Sequence, residues 1–138
     1  SNAKHFASSL AAEGFDVLAE SRGYTASHQV LTRHGSKDSG AGAKAAQLLE
    51  DAGIVTNMNM LPGDTKALTP SGLRLGVQEL TRVGMGHDEM EEVARLYARV
   101  LIHGEDPATV KNDVKLLKAN HQIIRYCFNE DEQSGYPL

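Results

Sequence analysis

Arg74 is the residue whose type and surroundings point most directly to chemistry. It lies in residues 71–77, where Leu73, Leu75 and Val77 occupy every second position. In a β-strand, residues at this spacing share one face, so we expect the side chain of Arg74 on the opposite face. A planar guanidinium in that position can bind both oxygens of one carboxylate.

A structural role for Arg74 is the alternative. Arginine is common on solvent-facing strands, where it pairs with acidic side chains, and Glu79 or Asp64 could serve here. The glycines on either side, Gly72 and Gly76, would let neighbouring groups approach the backbone closely. The spacing alone leaves both roles open.

Other residues allow weaker functional interpretations. His28 in a predicted strand could contact a cofactor or substrate, although a structural histidine is the commoner case. Residues 35–42 are glycine-rich and precede a predicted helix, but they lack the Gly-Lys-Ser/Thr ending of a phosphate-binding loop. We therefore predict a plain turn there. His121 is predicted to pack on a helix, and the histidine spacing predicts no metal site.

The composition excludes several classes of protein. The 138 residues suit one domain, and a net charge of −4 gives no reason to expect nucleic-acid binding. No apolar run approaches the length of a membrane span, so we expect no membrane partner. The lone Cys127 excludes a disulfide framework and suits a cytoplasmic location.

The elements that must position Arg74 follow from the periodicity of the sequence. Residues 71–77 form a predicted strand, preceded by an ordered loop over 60–70. The other predicted strands are 15–20, 27–33 and 54–58, and the predicted helices begin at Lys4, Ala41, His87 and Pro107. In strand 27–33 we expect His28, Val30 and Thr32 on one face. No internal repeat is visible.

These elements predict an α/β (α+β) fold, with a small, mostly antiparallel sheet and helices packed on one of its faces. We divide the chain into residues 1–3, a purification-tag remnant; 4–104, the main domain; 105–129, an additional C-terminal helix; and 130–138, an acidic tail. The first helix begins abruptly, so we expect the sequence to start inside a longer protein.

The segment around Arg74 resembles the serine hydroxymethyltransferase family. That family has a Ser-Gly-(Ile/Leu)-Arg-(Ile/Leu/Val)-Gly motif near its C-terminal end, and residues 71–76 read Ser-Gly-Leu-Arg-Leu-Gly. Residues 80–82 and 88–90 follow the family pattern, and residues 42–59 resemble its Glu-Ala-Gly-Ile and Asn-x-Asn segment. The resemblance covers roughly residues 4–103 in order and spacing.

The resemblance implies the small C-terminal domain of a fold-type I pyridoxal-phosphate (PLP) enzyme. In the family, the motif arginine, here Arg74, binds the carboxylate of serine or glycine, and Ser71 and Gly72 would support the motif. The cofactor lysine of the family lies in the large domain, in a Thr-Thr-His-Lys segment that nothing here matches, and Lys66 lacks that context. The chain alone is therefore expected to be inactive and to need its large domain and a second subunit.

Two departures from the family pattern favour alternatives. Gly63 stands where some members use a side chain to hold the folate pteridine, and Gln78-Glu79 replaces Pro-Ala. The one-carbon carrier, tetrahydrofolate or another pterin, stays open. A PLP-dependent aldolase or transaldolase acting on β-hydroxy amino acids is the second hypothesis, and a non-catalytic assembly module is the third.

Overall fold

The computed structural model describes residues 1–124. Helix α1 (Asn2–Ala12) is followed by strand β1 (Asp16–Val17), a 3-10 turn (Glu20–Arg22) and strand β2 (Gln29–Arg33). Helix α2 (Ala41–Asp51), strands β3 (Asn57–Asn59) and β4 (Gly72–Gly76), and helices α3 (Gln78–Arg82), α4 (His87–Leu101) and α5 (Pro107–Ala119) complete the fold.

The four strands form one antiparallel sheet in the order β1-β2-β4-β3. The central strand β4 buries Leu73 and Leu75 while Arg74 is exposed, as the alternation predicted. In β2, Val30 and Thr32 are buried on the same side. This confirms the predicted α+β fold with a mostly antiparallel sheet.

The helices cover the face of the sheet to which these residues point. One core contains residues from α1, α2, α4 and α5 together with the inward residues of β2 and β4. Phe6 of α1 meets Tyr97 of α4 edge to face, with ring centroids 5.7 Å apart. Burial in this core raises the pKa of Tyr97. Within residues 1–124, no helix packs across the centre of the opposite face of the sheet, where Arg74 is exposed.

Helix α5 begins as the sequence predicted and ends earlier. The carboxylate of Asp106 accepts a hydrogen bond from the N–H of Ala108 at 2.9 Å, and Pro107 takes the first helical position. The helix ends at Ala119 rather than near residue 129, so His121 and Ile124 lie beyond it. The last residues assigned to this helix, Cys127 among them, and the acidic tail 130–138 lie outside the described residues.

Several other boundaries differ from the prediction. Strand β1 is two residues long, and β3 is shifted from 54–58 to Asn57–Asn59. The turn α3 was not predicted, because five residues are too few to show a helical period. Helix α1 begins at Asn2 and buries Ala3, so part of the predicted tag remnant packs in the fold.

Within residues 1–124, no helix is both long enough and apolar enough to cross a bilayer.

Candidate functional site

The open face of the sheet places Arg74 at the centre of a small frame of side chains. The strand register sets Leu31 of β2 on one side of Arg74 and Asn57 of β3 on the other. Residues that lie directly opposite each other in an antiparallel pair share a face, with Cβ atoms about 4.5–5.5 Å apart. Arg74 is exposed, and within the described part of the chain no carboxylate lies within 4.0 Å of it.

The two glycines of β4 bound this frame along the strand. A Cβ atom on Gly72 would overlap the side chain of Leu61, which is 3% exposed, so Leu61 lies directly over that glycine. A Cβ atom on Gly76 would meet the side-chain amide of Gln78. Arg74 is therefore the one side chain that rises from β4 on this face, between a leucine and a glutamine.

The predicted partners of Arg74 are engaged elsewhere. Glu79 lies 3.6 Å from Arg82, on the same short helix. Both oxygens of the Asp64 carboxylate already accept backbone hydrogen bonds. Oδ1 accepts from the N–H of Asp38, and Oδ2 accepts from the N–H groups of Leu61 and Ser71. The structural alternative, in which Arg74 pairs with one of these acids, therefore has no support among residues 1–124.

Ser71 and Gly72 fix the position of the backbone at the start of β4. Ser71 is fully buried, and both its N–H (2.9 Å) and its hydroxyl (2.8 Å) donate to Oδ2 of Asp64. Gly72 lacks a side chain where Leu61 covers it, since a Cβ atom there would overlap the leucine side chain. Neither residue is exposed, so neither can contact a ligand directly. Their contribution to a site is to position the strand that carries Arg74.

A reciprocal pair of aspartates joins the two loops next to β4. The carboxylate of Asp38 accepts bonds from the N–H of Thr65 (2.7 Å), its hydroxyl (2.7 Å) and the N–H of Lys66 (2.8 Å). Asp64 returns the contact by accepting from the N–H of Asp38 at 2.9 Å. These bonds hold the pKa of Asp64 well below its usual range, because they favour the charged form. The sequence carries no signal for a pairing across this separation.

In the glycine-rich turn before α2, the backbone N–H groups nearest the start of the helix are already hydrogen-bonded within the chain. The N–H groups of Asp38, Ser39, Gly40, Ala41 and Gly42 all donate within the chain, to backbone carbonyls or to the side chains of Asp64 and Ser39. A phosphate site at a helix start needs free N–H groups. The occupied N–H groups of residues 38–42 favour the predicted plain turn.

The histidines lie apart from Arg74. His28 is exposed and comes just before β2 rather than within it; its carbonyl accepts a hydrogen bond from the N–H of Val77 at 3.1 Å. His121 lies 3.7 Å from the carboxylate of Glu89, beyond the end of α5. No cluster of three or more possible metal ligands occurs within residues 1–124.

A cleft opens beside Arg74, at the edge of the sheet where β3 begins. Its volume is about 380 Å³, and Arg74, Asn57 and Gln78 contribute to its lining. Its apolar wall comes from the edges of α3, α4 and α5, including Leu80, Leu96, Val114 and Leu117. Glu79 of α3 and Lys118 of α5 also line the cleft, so charged groups of both signs border it together with Arg74 and the two amides.

Fold and site together define a small α+β domain whose open sheet face carries an exposed arginine, Arg74, with no acidic partner within residues 1–124. A family model described as serine hydroxymethyltransferase matches residues 1–97. The serine hydroxymethyltransferase of Thermococcus kodakarensis is 52% identical over 139 aligned positions, covering 99% of this chain and 31% of that protein. That of Pyrococcus horikoshii is 50% identical over 130 residues, covering 93% of this chain and 30% of that protein.

A solved structure shows the same fold. The L-threonine transaldolase of Pseudomonas fluorescens superposes with a TM-score of 0.76 and 32% sequence identity, over 87% of this chain and 26% of that one. The chain belongs to the serine hydroxymethyltransferase family, as its motifs predicted. It spans about a third of the length of the curated relatives it matches.

Proposed function

We propose that this chain is the C-terminal domain of a PLP-dependent transferase that interconverts serine and glycine with a one-carbon carrier. The observation that carries the proposal is Arg74, exposed and free of acidic partners within residues 1–124, at the centre of the open face of a chain of this family. Serine and glycine share the α-amino carboxylate, and a guanidinium is suited to bind that group.

The role proposed for Arg74 is to hold and orient the substrate. Two parallel N–H···O bonds from one guanidinium fix the plane of the carboxylate as well as its position. A fixed carboxylate sets the direction of the bond at Cα that is to be broken. Ser71 and Gly72 act indirectly, by setting the position of the strand.

PLP would be held by the rest of the protein. In the turn that resembles a phosphate cradle, the N–H groups of residues 38–42 already donate within the chain, so the start of α2 does not offer them to the phosphate of PLP. When bound, PLP supplies an electron sink for the bond broken at Cα. We expect the isolated chain to be inactive, and the active assembly to be a cytoplasmic enzyme that combines this domain with a large domain and a second subunit.

Transaldol or retro-aldol cleavage of a β-hydroxy amino acid is the second candidate. The L-threonine transaldolase of Pseudomonas fluorescens has the same fold in this region. Gly63 has φ of +105° and no atom within 4 Å of where a Cβ would lie, so this position offers no side chain to a pteridine. The same arginine would serve, because these substrates carry the same carboxylate.

The test is an assay of the full-length protein with two substrates. Isotope-labelled serine is supplied with PLP, with and without tetrahydrofolate or a second reduced pterin, and L-threonine is supplied without any carrier. We expect labelled glycine to form from serine only when a carrier is present. Carrier-independent cleavage of L-threonine as the main activity would replace the proposal with the second candidate. No turnover of either substrate by PLP-loaded protein would favour an assembly module.

A further inference from the structure

Two side-chain amides flank Arg74 on the side where the cleft opens. Asn57 faces Arg74 across the β3–β4 pair, and Gln78 lies over Gly76, the next residue of β4 on the same face. All three side chains line the same cleft. The other two sides of the frame are closed by leucines, Leu31 in the neighbouring strand and Leu61 over Gly72.

The amides are available to a ligand. Asn57 and Gln78 are exposed, and neither side chain makes a hydrogen bond within the described residues. Asn59, one pleat further along β3, differs in this respect: its amide donates to the carbonyl of Met60 at 2.7 Å. Of the two asparagines of β3, the one next to the guanidinium is therefore the one whose amide makes no hydrogen bond within the described residues.

A bidentate arginine leaves a carboxylate with further acceptor capacity. Each oxygen has two lone-pair directions, and Arg74 uses one of each. A primary amide presents two N–H donors and no charge, so it can fill a remaining direction without competing for the guanidinium. Leu31 and Leu61 offer no donors, so the carboxylate is best satisfied towards Asn57 and Gln78.

We infer that Asn57 and Gln78 complete the receptor for the substrate carboxylate, with Arg74 as its centre. The inference rests on the proposed function, because it assumes that Arg74 binds the carboxylate. Gln78 stands at a position where the family motif has a proline, so this part of the receptor is a feature of this sequence rather than of the motif.

The experiment compares variants of the full-length enzyme for serine KM and kcat, and for glycine affinity by calorimetry. Asn57→Ala and Gln78→Ala should each raise the serine KM and the glycine Kd about fivefold, and the double variant about twentyfold, with little change in kcat. Asn57→Asp keeps the size but adds a carboxylate next to Arg74. It should weaken binding most, because it competes with the substrate for the guanidinium.

The controls separate this inference from the proposed function. Asn59→Ala and Gln47→Ala remove amides that are bonded within the chain, and both should leave KM and Kd unchanged. If Arg74→Ala abolishes glycine binding while the Asn57 and Gln78 variants bind normally, the inference is wrong and the proposed function stands. If Arg74→Ala also binds normally, both fail.

Discussion

Asp38 and Asp64 show how single residues secure the strand that carries the site. The carboxylate of Asp38 accepts three hydrogen bonds from the opposite loop, and that of Asp64 accepts four, from the opposite loop, from Leu61 in its own loop and from Ser71 at the start of β4. No cation contacts either carboxylate within 4.0 Å in residues 1–124. Hydrogen bonds from backbone N–H groups and hydroxyls stabilise the negative charge instead, and this favours the ionised form of each carboxyl group.

Asp64 should make the stability of the domain sensitive to acid. Its pKa is lowered in the folded state, so its contribution is present above the ordinary aspartate pKa of about 4 and is lost as pH falls through the lower folded value. We expect Asp64→Asn to lower the melting temperature of the 138-residue chain at neutral pH. It should also reduce the further loss of stability on acidification.

The measurement is thermal unfolding followed by circular dichroism from neutral to strongly acid pH. Asp51→Asn is the control, because Asp51 is exposed and bonded only to Gln47 on its own helix. Equal melting temperatures for Asp64→Asn and the unchanged chain at neutral pH would show that the pair does not stabilise the fold.

At the scale of elements, the close approach of α2 to β4 sets the position of the sheet. A Cβ atom on Gly42 would lie 2.8 Å from the backbone nitrogen of Gly72 and nearer still to its carbonyl oxygen. Backbone atoms in a central strand cannot move aside as a flexible side chain can. Helix α2 and strand β4 therefore meet at Gly42 and Gly72. Gly72 directly precedes Leu73 and Arg74 in the strand.

Gly42→Ala should destabilise the fold even though alanine is the better helix residue. Replacing glycine by alanine inside a helix stabilises the helix by up to about 1 kcal/mol. Forcing an extra methyl group against backbone atoms destabilises the fold by about 1–3 kcal/mol. We expect a net loss of up to about 2 kcal/mol in the free energy of unfolding, measured with urea. Gly76→Ala is the matched control, since its Cβ would meet only the movable amide of Gln78. A stabilised Gly42→Ala variant would contradict the close packing.

Elements with a sustained pattern could be predicted from the sequence. The alternation in β4, the apolar stripe of α4 and the Asp106–Pro107 start of α5 all appear as expected. The short elements could not be predicted, because two or three residues of β1 or β3 show no period. Helix α5 was predicted too long, since the apolar spacing continues past Asn120, where the helix is capped.

The site was predictable only in part, for a similar reason. Arg74 could be predicted as a site residue because the apolar alternation of the strand and the family motif both lie within residues 71–77. Asn57, Leu61 and Gln78 reach Arg74 through strand register and loop packing, which no local pattern specifies. The aspartate pair likewise joins residues 26 positions apart.

At the scale of the whole molecule, the two faces of the sheet have different tasks. One face is buried under four helices and holds the domain together. The other presents Arg74 between two leucines and two amides. Because the chain spans about a third of its curated relatives, we propose that this second face is completed by the rest of the protein.

The most direct test of this account is the affinity of the full-length enzyme for serine when Arg74 is changed. We predict that Arg74→Ala lowers kcat/KM for serine by a factor of roughly 100 or more, because a bidentate, charge-assisted contact is lost. Arg74→Lys should recover only part of it, since an ammonium cannot form the paired bonds.

Arg82→Ala is the control, because Arg82 is an exposed arginine on α3 that lies near Glu79. The melting temperature and PLP content should match the unchanged enzyme in all three variants. A loss confined to the Arg74 variants would establish the carboxylate receptor. Serine kinetics near those of the unchanged enzyme in Arg74→Ala would contradict the central claim.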